Sequence, residues 1–521
     1  MNDRDDTNPA HHVFRFGETL IWPLQIVTSP VPGETPALSL ERWTKTVTSD
    51  NTWIETCDSV KRKPSTSGDL AYSEYHYFLP HVQRFLYPGK GVGSFRILKR
   101  SDSKYLQSAS VVLKRGDASI EFTCVCRELL LYVFDTGVLI LKLTLEGKGV
   151  NLDVLQLFRE TFRRAWAPFL PKDASDNTHF PLSVTWNFSA GKSRKFMGLH
   201  GDCSWSPTQA RVPHMPGHWK DLLAPLEYMP ITDSAAGKSP SLGYAHLGYE
   251  QIPTLSFVSV ASPARICRGN QIRLAFSQKL DPPGTGLPYA SGFLRAFESR
   301  NCYDRFYDPA LSEHKWMQTR FFVCPYAFTI ICDNSNFSTN DLFNNYLHHY
   351  SQLALLAHLQ KATLMHFRNR LYHSSLDPAS DGAHGGAERV LEDLLTFTNS
   401  CRFLEVSTQE QGQDLYRLLL EHLEIEPLYA QLLQHSRAIA DAIRARRSRT
   451  LEISTLRLTV VATFGLALAL TLGFWGMNII GSDGFPWIPA LTPRDSVLPP
   501  AERLWMVVPA TVLLSLFIVY H

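Results

Sequence analysis

A chain of 521 residues, 44% hydrophobic and 19% charged, is long enough for two or more domains and has ordinary globular composition. Its formal net charge of +2 gives no ground for expecting a nucleic-acid partner. Nine cysteines, an odd number scattered from Cys57 to Cys401, exclude the closely spaced even set of a secreted disulfide scaffold and read as reduced thiols.

The N-terminus, MNDRDDTNPAHHVFRF, has no basic stretch followed by an apolar one, so no secretory signal is expected and the large N-terminal part is placed in the cytoplasm. Residues 1–339 read as a β-rich α/β domain. Arg127 to Gly147 has two apolar β-prone runs around Asp135-Thr136-Gly137, a hairpin pattern with Gly supplying the turn. SASVVLKR, FPLSVTWNF and MQTRFFVCPYAFTIICDN are further strand candidates, and VNLDVLQLFRETFRRAW (residues 150–166) is an amphipathic helix. Ser204 to Tyr289, rich in Pro, Gly and Ser, reads as long loops with short strands.

From Asn340 the pattern turns helical, and 340–457 reads as a helical stalk region. Asp341 to Tyr372 is one helix, DGAHGGAE breaks it, and Arg389 to Val406 and Thr408 to Ile425 follow. Pro427 suits a first helical turn, and no Gly or Pro recurs until Gly465. An unbroken helix from Pro427 to Met477 would be roughly 75 Å long and would enter a bilayer as the extension of a stalk.

Residues 458–521 read as a two-helix transmembrane domain. Leu458 to Met477 has no charged side chain over about 20 residues, the length that spans a hydrocarbon layer; Leu504 to Tyr520, about 17 residues with Pro509, is at the lower limit. Arg444, Arg446, Arg447, Arg449 and Arg457 precede the first span, while the loop 479–503 has only Arg494 and Arg503 among acidic neighbours. The positive-inside rule then puts both termini in the cytoplasm, for a multi-pass protein of the plasma (inner) membrane.

Leu458-Thr459-Val460-Val461-Ala462-Thr463, then Gly476-Met477-Asn478 at the end of the first of two C-terminal spans, resemble the CorA family of divalent-cation channels. The resemblance implies an α+β cytoplasmic domain, a long stalk helix, two C-terminal transmembrane helices and a funnel-shaped homopentamer around one pore. It also implies transport of Mg²⁺ and a regulatory aspartate at a distance from the signature similar to that of Asp441. The chain departs from the family at Trp475, where Tyr is usual, at Ala467 and Ala469, where Pro and a pore-facing Thr are common, and at Glu452, where Asn is usual. The outer loop also lacks the usual Met-Pro-Glu sequence. Zn²⁺, Co²⁺ or Ni²⁺ therefore stand as alternative ions.

The chemistry suits the residues. Mg²⁺ gives up water reluctantly, so a ring of Asn478 carboxamides can accept hydrogen bonds from the hydrated ion and still release it. Gly476 lets the backbone leave the helix, whose C-terminal carbonyls carry partial negative charge. Thr455, Thr459, Leu466 and Leu472 are candidate pore-facing positions, the leucines as an apolar constriction. Ala462, Gly465, Ala469 and Gly473 have the spacing of close helix packing. Glu452 is either an acidic ring at the inner mouth or a solvated stalk residue near Arg449. Asp441 is either a regulatory metal ligand or one half of a surface pair with Arg444.

Other signals lead elsewhere. Phe134-Asp135-Thr136-Gly137 matches the core of an aspartic-protease site, but Val138 follows and no second Asp-Thr-Gly exists, so a hairpin turn is the reading. Ala190-Gly191-Lys192-Ser193 and Ala236-Gly237-Lys238-Ser239 lack the first Gly of a phosphate loop. Gly89, Gly91 and Gly93 punctuate a turn. Cys124 and Cys126 are buried thiols on one strand face, and adjacent His348 and His349 diverge on a helix. The chain is read as a cation channel or transporter and not an enzyme. A runner-up of another kind is a ligand-sensing membrane protein that uses this pore as its effector.

Overall fold

The hairpin expected around Asp135 lies near the middle of a 15-stranded mixed sheet in the computed structural model. The structure describes residues 11–28, 35–56, 68–88, 93–101, 105–166, 179–189, 191–198, 215–229, 242–248, 250–281, 286–311, 313–314, 317–376, 381–476 and 513. The hairpin strands are Ala118–Phe134 and Val138–Gly147, and Gly137 closes the turn at φ +83°, where a Cβ is disfavoured. Across the sheet the strands run Cys302–Tyr307, Gln318–Cys324, Ala327–Cys332, Thr254–Val260, His12–Val27, Val138–Gly147, Ala118–Phe134, Leu106–Arg115, Ser183–Phe188 and Ser193–Met197. Neighbours in this order are antiparallel except Thr254–Val260 with Ala327–Cys332, which are parallel. The stretch expected to be loops with short strands thus supplies a fully buried central strand, Thr254–Val260. Its alternation of Ser with Leu, Phe and Val hides that burial, because small hydroxyls pass as surface residues.

A bulge between Cys126 and Glu128 sets which side chains reach which face. Before it, Phe122, Cys124 and Cys126 point into one core; after it, Leu129, Leu131 and Val133 do. One extra residue shifts the parity of the strand, since side chains alternate with period two. Leu130, Tyr132 and Phe134 therefore face the opposite side, with Ile21, Ile140, Ala354, Leu355 and Leu359.

Both faces are covered. The helix Leu152–Phe162, capped by the Asn151 side chain accepting from the Asp153 N–H at 2.9 Å, lays Leu155, Phe158 and Phe162 on the first face. Helix Ser351–Leu376 covers the second. It continues a helical run that begins at Phe337 and holds two π-helical stretches, Phe337–Leu342 and Tyr346–Tyr350. The second places Tyr346 over Gly17, where a Cβ would stand 2.6 Å from the ring, and brings its hydroxyl within 2.8 Å of Thr19 Oγ1.

Three helix boundaries differ from the sequence reading. DGAHGGAE is not the break, because it lies inside helix Asp381–Ser400, and the preceding helix ends at Leu376. That helix ends at Ser400 and not at Val406. The next spans Glu410–His422, and Glu424 reverses the chain at φ +53° before helix Ile425–Gly476 starts. The compact units divide between Ser436 and Arg437, so the helices up to that point belong with the sheet.

Candidate functional site

Helix Ile425–Gly476 carries the residues that the sequence singles out for ion handling, apart from Met477 and Asn478, which lie outside the described residues. Gly476 is its last residue. Its segment Ser448–Leu470 is long and apolar enough to cross a membrane, and 6% of that window is buried inside the protein. A helix apolar on all sides must be surrounded by protein or lipid. Here Leu451, Leu458, Val461, Phe464 and Leu468 are 62% to 70% exposed, so protein does not surround it. The second apolar run, Leu504 to Tyr520, lies outside the described residues except Leu513.

An unbroken helix also fixes which candidates share a face. At about 100° per residue, Asp441, Glu452, Thr455, Thr459 and Leu466 fall within roughly 60° of one another. Leu472 comes out roughly 130° away from that stripe, and its side chain lies outside the described ones. Glu452, Thr455, Thr459 and Leu466 are exposed on the single chain. The Thr459 hydroxyl donates to the Thr455 carbonyl at 2.8 Å, and that of Thr463 to the Thr459 carbonyl at 2.7 Å. Each donor is satisfied within the helix, which leaves oxygen lone pairs pointing outward as acceptors. Open space surrounds Gly465 and Gly473, two members of the small-residue stripe.

Near the start of this unit, Asp441 pairs with Arg444 at 3.5 Å, three residues on, with both side chains largely exposed. Ser448 Oγ donates to Glu452 Oε1 at 3.4 Å. Among the described residues no group of three or more His, Cys, Asp or Glu side chains could hold a metal ion.

The sheet unit contains a polar cavity that the sequence did not signal. It has a volume of ≈ 350 Å³ and lies between the strands and the Tyr346–Tyr350 turn. Lys142 Nζ pairs with Glu128 at 3.0 Å, while Glu74 accepts from the Tyr87 hydroxyl at 2.8 Å and meets His348 Nδ1 at 2.8 Å. Burial opposes ionisation of Glu74, yet His348 and Tyr87 outweigh it and keep the carboxyl below its ordinary range. Burial likewise opposes the Lys142 ammonium, and Glu128 outweighs it and leaves the amine more basic than usual. These charges are matched within the wall.

The remaining sequence signals resolve structurally. His348 turns to Glu74, whereas His349 stacks on Tyr77 at 4.2 Å, so the two diverge. Cys124 and Cys126 share the buried face of one strand, and burial pushes the Cys124 thiol up to about 12. Gly191, at φ +65°, turns the hairpin between Ser183–Phe188 and Ser193–Met197, while Ala190 lies outside the described residues. Residues 236–239, Gly89 and Gly91 also lie outside them, and Gly93 adopts φ +118°.

No protein-family model matches the chain, and no curated protein does. Among solved structures it is similar to the complete structure of the CorA magnesium transporter from Methanocaldococcus jannaschii, at 10% identity and a TM-score of 0.20, over 52% of this chain and 90% of that one.

Proposed function

We propose that this chain is one subunit of a homo-oligomeric membrane channel or transporter that moves a divalent metal cation inward, Mg²⁺ foremost. The observation that carries this is the helix Ile425–Gly476, whose apolar Ser448–Leu470 segment is uncovered by protein and whose last residue opens the sequence Gly476-Met477-Asn478. Such a surface needs lipid or other copies of itself. Five helices arranged about an axis, with the Glu452–Thr455–Thr459–Leu466 stripe inward, would present an acidic ring, two rings of hydroxyl acceptors and an apolar constriction. The small residues beside that stripe then pack helix to helix. The membrane potential supplies the energy: each elementary charge falling through 100 mV yields about 2.3 kcal/mol, and a divalent ion about twice that. Asn478 would offer its carboxamide to the hydrated ion at the outer end, and Asp441 would bind Mg²⁺ between neighbouring stalks.

Uptake into liposomes holding the purified protein, read with fluorescent Mg²⁺ and Zn²⁺ reporters, tests this. Potential-driven Mg²⁺ entry supports it; Zn²⁺ entry without Mg²⁺ would shift the ion to the Zn²⁺, Co²⁺ or Ni²⁺ group; no flux of any ion would overturn it. The second possibility, a ligand-sensing protein that uses the pore as effector, is favoured by the polar cavity in the sheet unit.

A further inference from the structure

Helix Ile425–Gly476 carries a basic segment where it turns apolar. After the Asp441–Arg444 pair come Arg446, Arg447, Arg449 and Arg457, with Glu452 as the one acidic residue before the uncharged run that starts at Leu458. Arg444, Arg449 and Arg457 are exposed, while the side chains of Arg446 and Arg447 lie outside the described ones. Arg449 and Arg457 form no salt bridge among the described residues, and Glu452 accepts from Ser448 Oγ at 3.4 Å and not from an arginine. The passage of an ion down a pore gives these arginines no task.

Position along the axis sets what each one meets. Arg457 stands between Leu456 and Leu458, which are 64% and 70% exposed, so its guanidinium lies at the edge of the apolar surface. That group does not give up its proton, and beside hydrocarbon it extends along its own stem to the polar boundary. The headgroup layer on each side of the hydrocarbon is about 5–8 Å deep, within which Arg457 meets lipid phosphates. Arg449 lies about 12 Å further from the hydrocarbon along the axis. That is close to one Debye length, about 8–10 Å, so it still acts on the layer through its field.

Azimuth sets which side they serve. At about 100° per residue, Arg457 comes out roughly 170° from the middle of the face shared by Glu452, Thr455, Thr459 and Leu466, and Arg449 roughly 90° from it. With that face turned to a pore, Arg457 points outward to lipid and Arg449 lies on the flank. Arg444, Arg449 and Arg457 are themselves at least about 80° apart. A docked protein would take one face of the helix, whereas arginines spread around it suit a surrounding layer of headgroups. The guanidinium fork matches phosphate oxygens in pairs. A zwitterionic lipid brings its own cation beside that phosphate, and an anionic lipid does not.

Taking the helix as membrane-spanning, on which this rests, we propose that the Arg444–Arg457 segment binds the phosphate groups of anionic phospholipids in the leaflet on the stalk side. Arg457 contacts the phosphate, and the arginines before it attract the lipid. The segment is then a collar that selects the lipid around the first span.

Electron spin resonance of the full-length protein in phosphatidylcholine liposomes tests this, because it separates label held at the protein from label in bulk lipid. Spin-labelled phosphatidylglycerol should associate about fivefold more strongly than spin-labelled phosphatidylcholine at low salt, the factor that one arginine near the surface supplies. About 1 M NaCl should cut that preference by half or more. Arg449→Gln with Arg457→Gln should bring it below about twofold, while Arg449→Lys with Arg457→Lys should keep most of it, since the charge remains. Equal association of the two labels with the wild type would overturn the inference, as would a glutamine pair with undiminished preference. Displacement by inorganic phosphate at an ionic strength where NaCl has no effect would assign the arginines to a soluble anion and overturn it too. The comparison of labels needs no variant, so it decides the matter even where the glutamine pair inserts poorly. Protein that fails to float with the liposomes would overturn the transport reading as well, whereas protein that floats without preference overturns the lipid collar alone.

Discussion

Glu18→Ala should destabilise the sheet unit by about 3–5 kcal/mol, the usual cost of breaking a buried ion pair by removing one partner. Arg159 has a side-chain exposure of 0% and Glu18 of 3%, and the Arg159 Nε lies 3.2 Å from Glu18 Oε2. The other guanidinium nitrogens already donate to Gln156 at 2.5 Å, Ser256 at 2.5 Å, and Ser277 and Thr329 at 2.8 Å, all uncharged groups. Burial pulls the Arg159 pKa below its ordinary value, and Glu18 is the carboxylate that opposes it. Alanine would leave a fully buried guanidinium without the carboxylate it pairs with. Glu18→Leu with Arg159→Met removes both charges and should recover part of the loss, though the three hydroxyls then lose their donor. Pulse proteolysis of the full-length protein across a urea series reads the difference. A loss below about 1 kcal/mol for Glu18→Ala would refute the reasoning, because that is the range of a solvated surface pair.

Acid should destabilise the same unit. Burial pushes the pKa of His218, His246 and His366 down to about 3 and of His349 and His358 to about 4. Between those values and the unfolded value of about 6.5 the unfolded chain binds more protons, so stability falls as the pH drops through 6.5, by up to about 1.4 kcal/mol per pH unit for each histidine. Asp135, raised to about 6, acts in the opposite sense but is one group against five. Urea midpoints equal at pH 7 and pH 5 would show that these rings are not held neutral. Gly137→Ala should lower the melting temperature more than Gly149→Ala: both have positive φ, but only at Gly137 would the new Cβ stand 3.0 Å from His366 Nε2, whereas nothing lies within 4 Å of Gly149. Equal melting temperatures would contradict the close approach. Asp441→Ala should raise flux at high internal Mg²⁺ if five copies brace the stalks through the ion; superimposable inhibition curves would leave Asp441 as a surface partner of Arg444 worth about 0–1 kcal/mol.

Local chemistry made some of the fold legible. Asp135-Thr136-Gly137 between two apolar runs gave away the hairpin because a glycine at positive φ is a local requirement. The helix 150–166 was readable from its spacing, and its observed core is Leu152–Phe162 with Asn151 as cap. The bulge at Cys126 to Glu128 was not readable, since it exists only in the register against the neighbouring strand. Glu424 ends a helix in a conformation usually left to Gly, which no residue type announced. The glycines of 381–388 suggested a break, yet they occupy the first turns of helix Asp381–Ser400. In the candidate site, the face shared by Asp441, Glu452, Thr455, Thr459 and Leu466 is implicit in their spacing and needed only an unbroken helix. The polar cavity was invisible, because it gathers residues from segments more than 200 positions apart, such as Glu74 with His348.

Mg²⁺ entry into liposomes with an imposed inside-negative potential, measured side by side for the wild type and Asn478→Ala at equal reconstituted amounts, tests the central claim most directly. Potential-driven entry through the wild type, lost in an Asn478→Ala protein that assembles to the same oligomer and retained in Trp475→Tyr, is the predicted result. Undiminished Mg²⁺ entry through well-assembled Asn478→Ala protein would contradict it.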